Sequence, residues 1–553
     1  MRAVPIFLLA AFFLTFLVWP VAHVLGGAFL VDGTPSLGAF SLAFQNEVFV
    51  RSIVNSLVVA VAVTLLASVV SFPLAHLFVH YEFRGKGLLQ GLLLSAMVLP
   101  PFVAAIGIRQ LFARFGSVNL ALMELGVTDE PIDFLGGHPL LGVVLMETLH
   151  LYPILFLNVV ASLSNIDPSL DEAAESVGAS RWTRFRRVTL PLVLPGWFAG
   201  AIIVFIFALT DLGTPIVFDV RDLVPMQIFE RATEGSRDPV GYALVVIVLA
   251  LSLVLFLLGR RAVSRRTGQQ ATKGSVVART RPIPPRVKPF LALGFVVLVV
   301  VTLLPHLAIA LVAFSEKWFF SIVPEHFSLK HFGRVLTDEI AYVGVKNSLI
   351  YAACSTAIDL VLGVGIAWLA VRGKGRLGAL FDAVAMLPLA LPGIVLAFGY
   401  TYAFSKTPID PLRDPFVLLV FGYAVRRLPY VVRAADAGFR QVPVALEEAS
   451  KNLGASGWTT LRRVTLPLLA GNLLAGGLLA FSFAMLEVSE SLILAPTEKD
   501  FPIAKAIYVL LGDIADGAQI ASAMGVIGTV LLLYSLLAAS RLLGKSLGEL
   551  FRS

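Results

Sequence analysis

Long runs of apolar residues, separated by short polar segments, dominate the chain. A helix needs about 20 mainly apolar residues to cross a bilayer, and twelve such runs can be marked along the 553 residues. They lie near residues 4–30, 52–80, 88–113, 139–163, 193–218, 239–258, 289–314, 346–371, 378–404, 415–434, 468–494 and 517–540. The first run has no charge from Ala3 to Val31. It is longer than the apolar region of a cleavable signal, about 7–15 residues, so we interpret it as a retained anchor.

Composition supports a polytopic membrane protein. Hydrophobic residues make up 58% of the chain, charged residues 14%, and the mean hydropathy is +0.87, whereas an average soluble domain has about 25% charged residues. The single cysteine, Cys354, allows neither a disulfide framework nor a cysteine metal cluster. The eight histidines show no ligand spacing such as His-Glu-x-x-His. We therefore predict no metal site and no catalytic residues.

Basic residues mark one face of the predicted membrane protein. The segment 259–288 contains nine Lys and Arg residues and no acidic residue, so the positive-inside rule places it in the cytoplasm. With an even number of spans, both termini fall on the same side. The net charge of +7 follows this topology, and we predict contact with membrane lipid and not with nucleic acid.

The sequence also repeats itself. DEAAESVGASRWTRFRRVTLPL at 171–192 returns as EEASKNLGASGWTTLRRVTLPL at 447–468, displaced by 276 positions with 14 of 22 residues identical. Shorter pairs accompany it: NSL at Asn55 and Asn347, LPPFVAAIG at Leu99 with LPGIVLAFG at Leu391, and RGKG at Arg84 and Arg372.

The repeats predict two halves in the same orientation, because each half has six spans. Parallel repeats are related by an axis along the membrane normal, and a pathway is expected between them. We assign residues 1–258 to the first repeat, 259–288 to a basic cytoplasmic linker and 289–553 to the second repeat. The linker lacks an apolar run and ends in RPIPPR, which is typical of a tether.

The repeated polar stretch predicts two short helices. Asp167 can cap the first, Gly178 can end it in a left-handed conformation, and Ser180 can cap the second. One face of the first helix is mildly apolar, with Leu170, Ala173, Ala174 and Val177. A simple spacer would not need to keep Trp182 and its copy Trp458, so a docking surface explains the repetition better. A DNA-reading pair of helices is excluded because the helices begin and end within a few residues of the bilayer.

These residues resemble the cytoplasmic coupling signature of binding-protein-dependent ABC importer permeases. The matches are Glu172-Ala173-Ala174, Gly178 and Leu190-Pro191, and again Glu448-Ala449-Ser450, Gly454 and Leu466-Pro467. The departures are Ser450 for Ala, and Val188 and Val464 for Ile. The fused layout, with LPGIVLAFG, RRLPYVVRA and TDLGTPIVF, is similar to the ferric-iron, thiamine and organophosphate type of permease.

The resemblance implies a type I ABC importer permease fold in the bacterial cytoplasmic membrane and transport by alternating access. Two copies of a separate ATPase would bind the loops and carry ATP and Mg²⁺, so this chain would bind no cofactor and act as no enzyme. A periplasmic or lipid-anchored binding protein would deliver a small solute, with ferric iron the first choice and thiamine or a phosphonate or sugar phosphate as alternatives. The implied coupling residues are Glu172, Ala173, Ala174, Gly178, Arg187, Glu448, Ala449, Gly454 and Arg463.

Several predicted spans contain charged residues. Such a charge costs about 2.5–3.5 kcal/mol at mid-bilayer and usually faces a pathway or a partner. The candidates for a translocation pathway are His150, Asp211, Arg426, Arg427, Glu487 and Glu490. The aligned pair Asp211 and Glu487 also fits a helix-end role. The arginines would favour an anionic solute and the acids a cation.

Prolines predict breaks in spans three and nine. Pro100, Pro101 and Pro392 lie near the middle of these runs, where a break can shape a gate or be a plain kink. Two rival classes remain: a self-sufficient twelve-span secondary transporter driven by an ion gradient, which does not require matching docking helices, and a membrane enzyme, which requires a catalytic constellation.

Overall fold

A computed structural model describes residues 3–31, 33–97, 99–234, 238–267, 281–373, 376–513 and 515–543. Within these ranges the chain is almost entirely helical, which confirms the all-α prediction. The strands found there are two residues long and form two pairs, Leu30–Val31 with Thr34–Pro35 and Tyr81–Glu82 with Arg281–Pro282. Residues 268–280 of the predicted linker lie outside the described residues.

Nine helices in the described ranges are long and apolar enough to cross a membrane. They match predicted runs one, two, four to eight, eleven and twelve, and we number the spans by those runs. In chain order they are Ile6–Phe29, Glu47–His80, Pro139–Ser164, Arg181–Val217, Pro239–Gly259, Lys288–Phe314, Glu339–Arg372, Gly457–Met485 and Gly517–Leu542.

Spans three and nine are broken. Lys86–Met97 and Pro101–Glu124 meet at 93°, and Arg376–Leu389 and Gly393–Ala403 meet at 101°. Pro100 and Pro392 stand at the N-caps of the second helices, because proline has no backbone N–H to continue the preceding helix. The predicted breaks are confirmed, and their role as a gate stays a prediction.

Span ten is the least apolar of the predicted set. Its helix, Phe416–Gln441, has 26 residues, which is long enough to cross a bilayer, but its charged side chains keep it out of the apolar set. With each broken pair counted as one span, the described residues contain up to eleven apolar spans. The number twelve therefore stays a prediction at this position.

Shorter helices lie between the spans or form their ends, and two of them, Gly213–Val217 and Ser489–Leu494, follow breaks after Thr210 in span five and Met485 in span eleven. They are Gly38–Gln45, Ser117–Glu124, Pro168–Ser176, Arg181–Arg184, Gly213–Val217, Val224–Glu234, Lys330–Arg334, Val444–Asn452, Gly457–Thr460, Ser489–Leu494 and Ile503–Leu510.

The repeated NSL motif fixes two of these connecting helices. Val224–Glu234 and Ile503–Leu510 lie at the ends of the spans away from the repeated polar stretches, and we call them the distal helices. Ser56 accepts a hydrogen bond from the backbone N–H of Val224 at 2.9 Å, and Ser348 accepts one from Ile503 at 2.7 Å. The neighbouring asparagines donate to carbonyls just before the same helices. The motif therefore satisfies backbone groups at two buried helix N-termini.

The first span of each repeat packs on the other repeat. Span one lies against Gly393–Ala403, where the Tyr400 hydroxyl donates to the Phe16 carbonyl at 2.7 Å and the rings of Phe16 and Phe421 stack at 4.2 Å. Span seven lies in the same way against span three and span four. There the hydroxyls of Tyr152 and Thr302 are 3.1 Å apart. The two repeats are therefore interlocked.

Two aligned glycines allow these crossings. A Cβ at Gly107 would lie 2.6 Å from the backbone nitrogen of Ile309 in span seven, and one at Gly399 would lie 3.1 Å from Cβ of Pro20 in span one. These are the last glycines of LPPFVAAIG and LPGIVLAFG, so close helix contact explains why that repeat ends in glycine.

Replacing Gly107 with Val should destabilise the interlocked repeats by about 1–3 kcal/mol, the usual cost of overpacking. We expect a lower midpoint of thermal unfolding in detergent. Gly294→Val is the matched control in span seven, because a Cβ there meets nothing within 4 Å. Equal midpoints for the two variants would contradict the crossing.

Candidate coupling loops and intramembrane charges

Residues 167–189, which contain most of the first copy of the repeated stretch, form the predicted helix pair, and we call them the first loop. Asp167 caps the helix Pro168–Ser176 by accepting from Ser169 N–H at 2.9 Å, and this hydrogen bond lowers the pKa of the Asp167 carboxyl. Gly178 ends the helix with φ of +78°. Its N–H donates to the carbonyl of Glu175 at 2.9 Å, and the next N–H donates to Ala174 at 3.1 Å. This pattern is a Schellman C-cap.

The second loop, residues 443–465, has the same geometry. Its first helix, Val444–Asn452, starts at the position aligned with Pro168, although Pro443 provides no side-chain cap. Gly454 ends it with φ of +86°. Ser456 then caps the second helix by accepting from Thr459 N–H at 3.2 Å. Both loops continue through one π-helical turn, Phe185–Thr189 or Leu461–Thr465, into the following span.

Both loops expose apolar side chains at aligned positions. Val177 and Leu453, at aligned positions, are 84% and 89% exposed, and Trp182 and Trp458 are 67% and 63% exposed. The implied coupling residues that are exposed are Glu172, Ala173, Gly178, Arg187, Glu448, Ala449, Gly454 and Arg463, and Ala174 is half-buried. Clustered exposed apolar side chains mark a contact surface for a partner. The structure thus leaves this surface uncovered by the protein's own spans.

The arginines of span ten share one carboxylate. Arg426 and Arg427 both form ion pairs with Glu487, at the break of span eleven, and only 4% of the Glu487 side chain is exposed. A Cβ at Gly393 would collide with the guanidinium of Arg426. The glycine that begins the second half of span nine therefore makes room for the arginine.

Two further acids lie buried near this ion cluster without a hydrogen bond. Glu490, in the helix Ser489–Leu494 that follows Glu487, and Asp359, in span eight, are both fully buried. Neither carboxylate has a hydrogen-bond partner among the residues that the structure describes. Asp359 did not enter the predicted set, although an acid inside the apolar run 346–371 was a visible signal.

The first repeat arranges its aligned charges differently. Asp211 accepts from Thr214 N–H at 2.8 Å and so caps the helix Gly213–Val217, which is the helix-end role proposed for it. His150 places Nδ1 3.0 Å from the carbonyl oxygen of Ala96. Glu147, a buried acid that the predicted set omitted, lies beside Asp211.

The breaks of spans five and eleven meet at the junction of the repeats. A Cβ at Gly213 would lie 3.5 Å from a methyl group of Val488 in the other repeat. On the distal side a cavity of about 580 Å³ opens between the repeats, lined by Arg109, Phe229 and Tyr508 among others. The predicted pathway residues thus fall in two groups, one on each side of this junction. Their role in translocation stays a prediction.

Alanine at the aligned positions 487 and 211 should have unequal effects. Glu487→Ala leaves two arginines without their shared counter-ion, and breaking a buried pair costs about 3–5 kcal/mol. Asp211→Ala removes a helix cap, which costs about 0.5–2 kcal/mol. The measurement is the free energy of unfolding in mixed detergent micelles, with Asp211→Asn as a control that keeps a cap. Equal losses would contradict the two assignments.

Comparisons with known proteins agree with the repeat and its signature. The family model "Binding-protein-dependent transport system inner membrane component" matches residues 67–268 and 360–548, more than half of the chain. Over 87% of its length the chain is 27% identical to "Putative ferric transport system permease protein FbpB 1" of Haemophilus influenzae, and it covers 76% of that relative. It is 26% identical over 86% of its length to 69% of "Ferric transport system permease protein FbpB" of Actinobacillus pleuropneumoniae.

A shorter relative matches about half of the chain. It is "Putative 2-aminoethylphosphonate transport system permease protein PhnU" of Salmonella typhimurium, 29% identical over 47% of this chain and 91% of its own. The match to this family favours an ABC importer permease over the two rival classes, a secondary transporter and a membrane enzyme. The resemblance expected from the repeated signature is confirmed: the chain belongs to the binding-protein-dependent transport system inner membrane components, as a fused two-repeat permease subunit of an ABC importer.

Proposed function

We propose that the first and second loops dock onto two copies of a separate ATPase subunit, which carries ATP and Mg²⁺. The observation that carries this proposal is one exposed surface built twice in one chain, with Val177 and Trp182 in one copy and Leu453 and Trp458 in the other. We call the first helix of each loop, Pro168–Ser176 or Val444–Asn452, its docking helix. The second helix of each loop continues into a span, so movement of the loop moves that span. In this proposal the loops, the basic linker 259–288 and both termini are cytoplasmic, and a solute-binding protein docks on the distal face.

The cargo we propose is a cation, with ferric iron as the first candidate. Of the intramembrane charged residues discussed in the preceding subsection, Glu147, Asp211, Asp359, Glu487 and Glu490 are acidic, and Arg426 and Arg427 are basic. Glu487 offsets only one of the two arginine charges, but the five acids of this set still outnumber its two arginines. Carboxylate oxygens suit hard cations, and the ferric names of the long relatives support the same choice.

The acids do not form a ready cage for this ion. Within the described ranges, no three His, Cys, Asp or Glu side chains lie close enough to hold a metal, so the cargo would meet the acids in turn. A phosphonate is the second candidate, favoured by the arginine pair and by the shorter relative. It would have to displace Glu487 from Arg426 and Arg427.

Changing the C-cap glycines should uncouple ATP hydrolysis from uptake. Gly178→Val or Gly454→Val forces a β-branched residue to a positive φ, at a cost of about 1–2 kcal/mol, although each Cβ has open space. In proteoliposomes with the ATPase and the binding protein, we expect less uptake for each ATP hydrolysed. Gly457→Ala, in the same loop but at ordinary φ, is the control. If the wild-type chain binds no ATPase, the proposal fails.

Neutralising an unpaired acid should distinguish the two cargo classes. Glu490→Gln or Asp359→Asn keeps the side-chain volume and removes a negative charge. If the cargo is a cation, uptake should fall roughly tenfold, as a barrier higher by about 1.4 kcal/mol requires. Uptake of radiolabelled ferric ion and of 2-aminoethylphosphonate is compared in the same vesicles. Uptake that rises with either change would point to the anion.

A further inference from the structure

One arginine ties the second loop to span eight. Arg372 is the last residue of the helix Glu339–Arg372. Its Nε donates to Oε1 of Glu447 at 3.1 Å, and its Nη2 donates to the carbonyls of Phe439 at 3.0 Å and Val442 at 2.7 Å. Both charged side chains are nearly buried, with 12% of Arg372 and 9% of Glu447 exposed.

Three elements therefore meet at this one guanidinium. Glu447 lies in the first turn of the docking helix Val444–Asn452, and Phe439 and Val442 lie at the end of span ten. The guanidinium carbon also lies 5.8 Å from the centre of the Phe439 ring. Because a guanidinium is planar and its donors have fixed directions, moving one of the three elements breaks bonds to the other two.

The first loop lacks this tie. Asp171, aligned with Glu447, pairs instead with Arg184 of the same loop at 3.2 Å, and Arg184 also pairs with Glu175 at 2.7 Å. Span two ends at His80, which takes the place of Arg372 because the helices Glu47–His80 and Glu339–Arg372 both have 34 residues. Arg84, the arginine of the first RGKG segment, lies beyond the end of that helix, is exposed and forms no ion pair with any residue in the described ranges. The acidic side chains of the first docking helix thus form their ion pairs within their own loop.

One sequence difference behind the different pairing of the two loops lies at position 184. The residue aligned with Arg184 in the second loop is Thr460, which is buried and hydrogen-bonds to Ser450 at 3.0 Å. Without an arginine inside the second loop, the acid at 447 is left for the arginine at the end of span eight. The arginines of the two RGKG segments therefore have different environments.

We propose that Arg372 is a positioning residue that transmits ATPase motion from the second loop directly to span eight, and that the first loop has no such link to span two. The two docking sites are then mechanically unequal. This inference rests on the proposed docking of ATPases at the loops. ATPase movement at the second loop displaces spans eight, ten and eleven together, whereas movement at the first loop passes through the spans that the loop itself connects.

The test compares Arg372→Ala with Arg84→Ala, the same change at the arginines of the two RGKG segments. The full chain is reconstituted with its ATPase and binding protein, and uptake is divided by ATP hydrolysed. We expect Arg372→Ala to lower this ratio about fivefold or more, within the usual range of coupling between sites, and Arg84→Ala to leave it unchanged. Glu447→Gln, which still accepts a hydrogen bond but loses its charge, should give an intermediate ratio.

Two controls separate the possible failures. Copurification of the ATPase with each variant tests docking itself: if the wild-type chain retains no ATPase, the proposed function fails and the inference with it. If all variants retain ATPase and Arg372→Ala keeps the wild-type ratio, the inference alone is wrong. Arg372→Lys keeps the charge at span eight, and partial recovery of the ratio there at equal thermal stability supports a positioning role over a loss of folding.

Discussion

The close contact between helices at Gly107 and Gly399 holds the two halves of this permease in one assembly. At both positions a helix of one repeat touches the backbone of a first span that belongs to the other repeat. The repeats therefore cannot separate as independent bodies. The breaks of spans five and eleven also meet between the repeats, at Gly213 and Val488, so Asp211 and Glu487 lie next to that contact in the chain.

Local signals in the sequence were sufficient to predict the helix caps of the loops. Asp167, Ser180 and Gly178 act within a few residues of their own positions, so their capping roles follow from chain geometry and are seen in the structure. Of the twelve spans that the apolar runs predicted, nine are single apolar helices in the described residues, and two more show the predicted proline breaks. Span ten shows the limit of this reasoning, because its helix carries charges whose partners lie elsewhere in the chain.

Tertiary contacts decide what the aligned charges do. Asp211 and Glu487 occupy matching positions, yet one caps a helix and the other pairs with two arginines. The reason is that the first repeat has His150 and Leu151 at the positions aligned with Arg426 and Arg427. Alignment could show that difference but not the resulting contact. The exchange of the first spans between repeats was also invisible in the sequence, since an apolar run does not specify which helix it packs against.

The exchanged first span has a consequence for how the protein is made. The Phe16 carbonyl and the Tyr400 hydroxyl that binds it are separated by 384 positions. At about 5–20 residues per second of synthesis, roughly 20–80 s pass before the packing surface for span one exists. During that time span one can pack on span six of its own repeat, where Gly27 lies against the Tyr242 ring, but not on its partner in the second repeat. The lack of charge from Ala3 to Val31 suits span one to that wait, since a helix with a polar stripe would need that partner before the ribosome had supplied it.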